Sequence, residues 1–189
     1  MNRRQAPENG HHHRGKFSEG LIDQERVINA LNIQSGQIIL DAGCGNGYMS
    51  KAFAKRVSPS GRVYAFDNDT HFINILKTET HGTNLDAMDV DITQPLPLNQ
   101  ASVDLVYIST VIHGFSSQQL QDFLREAKRF LKSDGILAIV EIEKKETSFG
   151  PPMNIRFSPE ELQEIVPMEP VSTVQVGKHF YMQVFKNRN

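Results

Sequence analysis

The hydrophobic pattern of this chain switches repeatedly between short apolar runs and stretches with helical spacing. QIILDAG (37–43), RVYAFDND (62–69), LDAMDVDI (85–92), SVDLVYIST (102–110) and ILAIVEIE (136–143) read as buried strands. GYMSKAFAKRV (47–57) has helical character and SPSG (58–61) breaks it. HFINILKTE (71–79) places Phe72, Ile75 and Leu76 on one side of a helix. The clearest helix is SSQQLQDFLREAKRFLKSDG (116–135), where Leu120, Phe123, Leu124, Ala127, Phe130 and Leu131 follow the helical period. Ser116 with Gln119 predicts a capping box, and Gly135 predicts its C-terminal stop. Ahead of all this, Ile22, Val27, Ala30 and Leu31 are spaced for a short amphipathic helix. Behind it, SPEELQEIV (158–166) offers Ser158 as N-cap, Pro159 at the first helical position and Glu161 three residues after the cap. VSTVQVG and HFYMQVFK predict a closing hairpin with its turn at Gly177 and Lys178.

Five strand–helix alternations and a final hairpin predict an α/β fold, a doubly wound, mostly parallel sheet of seven strands with helices on both faces. In such sheets ligands bind beyond the carboxyl ends of the strands. At 189 residues the chain is long enough for one domain with a full core. We expect residues 1–20 to form a flexible polar arm and 21–189 the domain.

Composition narrows the class. A formal charge of -2 argues against a dedicated nucleic-acid binder. Cys44 is the only cysteine, so no internal disulfide can form and a reducing compartment fits. No apolar run approaches the roughly 20 residues that span a bilayer. MNRRQAPENG lacks the apolar core of a signal peptide. Together these predict a soluble, cytoplasmic protein with no membrane span; its oligomeric state is not readable. His11, His12 and His13 are the one metal-like cluster. Adjacent histidines do not all face one ion from a regular element, so no metal site is expected and they read as a solvated arm.

The chemistry concentrates in LDAGCGNGY (40–48). Gly43, Gly45 and Gly47 permit unusual dihedrals and leave room for a ligand against the main chain; a tight strand-to-helix turn packed on its neighbours needs glycine as well. Asp67 ends the second strand, where a carboxylate can accept hydrogen bonds from both ribose hydroxyls of a nucleoside, or cap a turn. Asp69 is the better helix cap. A dinucleotide fingerprint is G-x-G-x-x-G, and its third glycine would fall on Tyr48. Asp41, two residues before the first glycine, disfavours a pyrophosphate and suits a cationic ligand.

These residues carry a resemblance. LDAGCGNGY looks like the first motif of class I S-adenosylmethionine-dependent methyltransferases. VYAFDND resembles their second motif, DVDITQPLPLNQASVDLVYISTVIHGF their third and fourth, and LKSDGILAIVE their approach to the fifth strand. The match runs over 24–143, and the nearest flavour is the small-molecule branch that includes ubiquinone and menaquinone biosynthesis methyltransferases. It implies a Rossmann-like fold with S-adenosyl-L-methionine as cofactor, S-adenosyl-L-homocysteine as product and a small-molecule methyl acceptor as partner. It also implies that Asp41 and the main chain of Gly43, Cys44, Gly45, Asn46 and Gly47 hold the methionine moiety. Asp67 would hold the ribose, with Asn68 beside the adenine; Asp91 and Ile92 would face the adenine edge. DITQP is one residue longer than the common pattern, which makes Asp89 the fallback for Asp91. Ser109 and Thr110 would lie near the methyl group.

Methyl transfer needs a base only when the acceptor must lose a proton. His113, just beyond the fourth strand, is the candidate; packing or capping the following helix is the other role open to it. Met153 and Phe157, around a loop carrying SFGPPMN (148–154), would give a lid apolar contacts. The alternatives are an RNA or protein methyltransferase, a non-catalytic module that binds S-adenosylmethionine, and a nicotinamide oxidoreductase.

Overall fold

The strand and helix signals resolve, in the computed structural model, into seven strands and five helices over the described residues 18–188. The strands are β1 (Ile38–Ala42), β2 (Arg62–Asp67), β3 (Leu85–Asp89), β4 (Val103–Ser109), β5 (Leu131–Ile142), β6 (Glu169–Gly177) and β7 (Phe180–Lys186). The helices are α1 (Gln24–Ala30), α2 (Tyr48–Val57), α3 (Thr70–Glu79), α4 (Ser117–Phe130) and α5 (Pro159–Ile165). His11, His12 and His13 lie outside the described residues.

The sheet order is β3-β2-β1-β4-β5-β7-β6, with the first five strands parallel and β7 antiparallel to both β5 and β6. The expected doubly wound architecture is therefore the observed one. Its reason is the near-continuous burial of the central strands: β4 is covered on both faces, so helices must pack on each. Val27, Phe53, Ile73 and Leu76 fill one face against Ile39 and Tyr107. Phe123, Ala127, Phe130 and Leu162 fill the other against Leu40, Val106 and Ile139.

Local signals set the helix starts. Asp69 caps α3 by accepting from the backbone amides of His71 and Phe72. Ser116–Gln119 and Ser158–Glu161 each form a complete capping box, at the starts of α4 and α5.

Four expectations are corrected. The long helix stops at Phe130 rather than at Gly135, and β5 begins at Leu131. Asn187 explains this: its side chain donates to the carbonyls of Leu131 and Lys132, and its main chain pairs with Asp134 and Gly135. Those carbonyls are bonded across the fold and need no helical cap. β3 ends at Asp89, where the chain leaves the sheet ahead of Asp91 and Ile92. The hairpin turn is Lys178–His179, because Gly177 still pairs with Phe180. Phe157 offers nothing to a lid, since it is buried in the second core with its carbonyl accepting from the Tyr181 hydroxyl at 2.8 Å.

The segment between β5 and α5 is organised by one cation. Arg156 is 4% exposed. Its guanidinium donates five hydrogen bonds, to the carbonyls of Pro151, Glu143, Lys145 and Phe149 and to the Thr147 hydroxyl, at 2.7–3.1 Å. Replacing it leaves the carbonyls of Pro151 and Lys145 without a donor and removes one of the two donors to each of the Glu143 and Phe149 carbonyls. Arg156→Ala is expected to lose roughly 3 kcal/mol in urea denaturation and to speed amide exchange across 143–151, with Arg156→Lys recovering part of both.

Candidate functional site

Because the first five strands are parallel, their carboxyl ends bring the Gly43–Gly47 loop, Asp67, the 89–92 turn, Ser109–His113 and Glu141 to one edge. The loop after β1 turns left-handed three times, at Gly43 (φ 73°), Gly45 (φ 54°) and Gly47 (φ 71°). A side chain at Gly43 would come within 2.6 Å of Val111, and one at Gly47 within 2.6 Å of Leu76. Two of the three glycines are therefore required by the packing of the protein itself.

The loop's donors are also committed. The amides of Gly43 and Cys44 both bond the Phe66 carbonyl, and that of Gly47 bonds Cys44. Tyr48 N–H bonds the Asn46 side chain at 3.2 Å. The Gly45 amide donates to Asp67 Oδ2 at 2.8 Å, while Asp67 Oδ1 accepts from the Asp69 amide at 2.9 Å. Each Asp67 oxygen keeps a lone pair for a further donor. Asn46 donates to Glu19 at 2.7 Å, and Ser18 and Tyr48 share a hydrogen bond between hydroxyls. The chain preceding α1 thus straps across the loop.

Beneath the loop lies Asp41, 2% exposed and bonded at 2.5 Å by the Ser50 hydroxyl. Burial raises its pKa to about 7, with the Asp67 charge adding to the rise and the Ser50 hydrogen bonds opposing it. Ser50 sits in the first turn of α2, so this carboxylate occupies the helix N-terminus where a phosphate would otherwise be drawn. Its strand neighbour Tyr107 is fully buried, and neither the Tyr107 nor the Ser109 hydroxyl has a hydrogen bond of good geometry. Cys44, also buried, has its thiol pKa pushed up, by burial first and then by the charges of Asp41 and Asp67.

The remaining residues are more exposed. Asn68 and Asp91 face solvent, and Asp91 accepts from the amide and hydroxyl of Thr93 with one oxygen, Oδ1. Ile92 is buried beside it, and Asp89 accepts from the Thr70 hydroxyl at 2.6 Å.

At the tip of β4, Thr110 takes φ 58°, and the following 112–114 segment forms a 3₁₀ turn. That turn carries His113 back to Glu141, whose Oε2 lies 2.8 Å from His113 Nδ1. The His113 side chain is 9% exposed and that of Glu141 1%. Burial pulls the His113 pKa down, but the hydrogen bond and charge of Glu141 outweigh it and the net shift is upward; Arg156 opposes. Glu141 was not anticipated. Its only signal was an acid at the end of an otherwise apolar strand. Among the described residues no cluster of histidine, cysteine or acid is arranged to hold a metal, and no helix is long and apolar enough to cross a membrane. A groove of about 450 Å³ lined by Gln100, Arg125, Lys128 and Ile165 lies at the opposite strand ends, away from all these residues.

A profile described as a methyltransferase domain matches residues 39–135. A demethylmenaquinone methyltransferase of Lactobacillus johnsonii is 30% identical over 125 residues, covering 62% of this chain and 49% of that protein. An uncharacterised 37.1 kDa protein in a transposon of Streptomyces fradiae is 32% identical over 117 residues, covering 61% of this chain and 33% of that protein. The chain spans half or less of the length of these two relatives. Among solved structures, a SAM dependent methyltransferase from Aquifex aeolicus superposes with a TM-score of 0.79 at 26% identity, covering 90% of this chain and 92% of that one.

The turn itself can be tested apart from any ligand. Gly47→Ala places a side chain at φ 71° against buried Leu76. We expect a loss of about 2 kcal/mol in thermal or urea unfolding. A loss below roughly 0.5 kcal/mol would mean that the left-handed turn is not required.

Proposed function

The chain belongs to the S-adenosylmethionine-dependent methyltransferases, and from that membership we propose that it methylates a small-molecule acceptor, leaving S-adenosylhomocysteine. When bound, the cofactor supplies a methyl group on a cationic sulfur that leaves as a neutral thioether. The observation that carries the reading is a buried carboxylate beneath a glycine loop whose amides are largely consumed by the protein. Asp41 suits a cation, and the loop has few donors left for phosphate. A nicotinamide dinucleotide is disfavoured on the same ground.

In this reading Asp41 faces the positive charges of the methionine moiety. The main chain of Gly43, Cys44, Gly45, Asn46 and Gly47 lines that moiety. Asp67, held in place by the Gly45 and Asp69 amides, accepts the ribose hydroxyls with its remaining lone pairs. Asn68, Asp91 and Ile92 border the adenine; Thr93 uses only Oδ1 of Asp91, which leaves Oδ2 to accept from the adenine amino group. Ser109 and Thr110 stand near the transferred methyl, and His113 is the base where a base is needed. Protein groups mainly align acceptor and donor and exclude water, which is the larger part of catalysis of this kind.

A small acceptor is supported by the net charge of -2, which lacks the basic surplus usual in a nucleic-acid binder. The names of the quinone-biosynthesis relatives point the same way and make a quinol the first acceptor to try. Calorimetry with S-adenosylmethionine, S-adenosylhomocysteine and NAD side by side tests the cofactor. Heat with NAD alone would overturn the proposal.

Asp41 gives the binding a pH signature. Because its pKa in the free protein is raised to about 7 from an ordinary 3.8, the free fold loses stability as pH rises from about 4 toward 7. A cation bound beside it favours the carboxylate, so below pH 7 binding must expel a proton. S-adenosylmethionine affinity is therefore expected to fall as pH drops from 8 to 6, by up to about tenfold per unit, with proton release visible in buffers of different ionisation enthalpy. Asp41→Asn should weaken binding at pH 8 by about tenfold or more and flatten this dependence. A flat wild-type profile would remove Asp41 from the cation's site.

A further inference from the structure

We infer that Glu141 is the positioning residue of His113, and that the pair selects an acceptor with an acidic hydroxyl, phenolic or enolic. This rests on the methyltransferase reading and deepens it. Geometry comes first. The 3₁₀ turn after β4 sets Nδ1 of His113 2.8 Å from Glu141 Oε2, at the end of the neighbouring strand β5. Both side chains are at least nine-tenths buried. An ionised carboxylate only accepts, so this contact fixes a hydrogen on Nδ1 and leaves Nε2 as the one lone pair on the ring.

Glu141 is not explained as a structural residue. Its second oxygen, Oε1, is buried with no hydrogen-bond partner. A buried carboxylate with an unmet oxygen lowers stability, so a gain in stability does not account for Glu141. The groups around the pair are few. Arg156, from the segment ahead of α5, bears on His113 and opposes its protonation. Tyr181, directly across from Glu141 on β7, spends its hydroxyl on the Phe157 carbonyl and is held neutral by burial and the Glu141 charge. Glu160 and Glu161 of α5 act on Tyr181 in the same sense. Burial opposes protonation of His113, with Arg156 adding a smaller opposition, and the hydrogen bond and charge of Glu141 outweigh both, so the imidazole is made more basic.

Such a base matches a definite class of acid. An imidazole whose basicity is somewhat raised takes a proton efficiently from phenols and enols, which ionise within a few units of neutrality, and inefficiently from aliphatic alcohols. Amines already carry a lone pair at high pH, and thiols ionise readily unaided. In the step assigned here the acceptor's O–H bond breaks and its proton goes to Nε2. The electron pair stays on the acceptor, which forms a bond from its oxygen or conjugated carbon to the methyl carbon. The carbon–sulfur bond breaks with its electrons left on sulfur, and the imidazolium afterwards gives its proton to solvent.

The test has an arm that needs no acceptor. In ¹⁵N-histidine spectra of the full chain with S-adenosylhomocysteine, neutral His113 should carry its proton on Nδ1. Glu141→Gln, an isosteric change, should mix the tautomers and lower the His113 pKa by about one unit or more. Cofactor affinity should stay within twofold. The second arm offers tritiated-methyl S-adenosylmethionine with phenols, enols, aliphatic alcohols, amines and thiols. Turnover should favour phenols or enols, with kcat down a hundredfold or more in His113→Gln. In Glu141→Gln the acid limb of the pH profile should move to lower pH by about one unit, a shift that a merely structural residue would not produce. An Nε2–H tautomer in the wild type, an unmoved limb in Glu141→Gln, or turnover confined to amines or thiols would overturn the inference. Failure of the wild type to bind either cofactor form would instead sink the methyltransferase reading, which keeps the two apart.

Discussion

The left-handed turn between Gly43 and Gly47 is the constraint on which the rest of this edge depends. A strand that continued straight from Ala42 would carry the chain past the end of β2, and the Phe66 carbonyl would lose the two amides that it now accepts. Turning at φ 73°, 54° and 71° folds the chain back under Val111 and Leu76. It then starts α2 so that Ser50 reaches Asp41, nine residues earlier. The same turn points the Gly45 amide at Asp67 and so joins the ends of β1 and β2. Glycine is needed here twice over, for its dihedrals and for its missing side chain, and the two demands fall on the same positions.

Two buried carboxylates stand at this edge, on opposite faces of the sheet. Side chains alternate along a strand, so Asp41 shares the face of Ile39 while Glu141 shares that of Ile139. Neither is neutralised by a direct ion pair with a permanent cation. Asp41 has a hydroxyl and an amide from Ser50; Glu141 has an imidazole whose charge depends on pH. Burying a carboxylate on these terms costs stability. In both cases the missing charge is one that the proposed chemistry supplies, the cofactor's cation on one face and the proton abstracted from the acceptor on the other.

What was legible in the sequence was what local physics decides. The capping pairs Ser116–Gln119 and Ser158–Glu161, the Asp69 cap and the spacing of the glycines each act within a few residues, and each is found where the residues placed it. The illegible parts are long-range. Gly135 had the local chemistry of a helix stop, yet Asn187, some 55 residues away in the chain, satisfies the carbonyls that such a stop would serve. Phe157 looked available for a lid because nothing local shows that Tyr181 and α5 close over it. Arg156 gives no sequence signal at all, since its five acceptors include four main-chain carbonyls. Glu141 was hidden by the apolar run in which it sits, and only its distance to His113 gives it a meaning.

Thr110 shows how the two faces are kept apart. A β-branched residue at φ 58° is strained by roughly 1–3 kcal/mol and persists only when its surroundings fix it. Two bonds do so: its amide donates to the Val140 carbonyl at 2.8 Å, and its hydroxyl to the Ser109 carbonyl at 2.7 Å. The first ties the tip of β4 to β5 just before Glu141. The strain redirects the chain from the strand into the 3₁₀ turn, and that reversal is what lays His113 over Glu141 instead of carrying it into solvent. The strained residue thus lies between Ser109, whose buried hydroxyl on the Asp41 face lacks a good hydrogen bond, and the His113–Glu141 pair on the other face. Strain at this point holds the base beside the strand tip where the acceptor is expected to meet the methyl group.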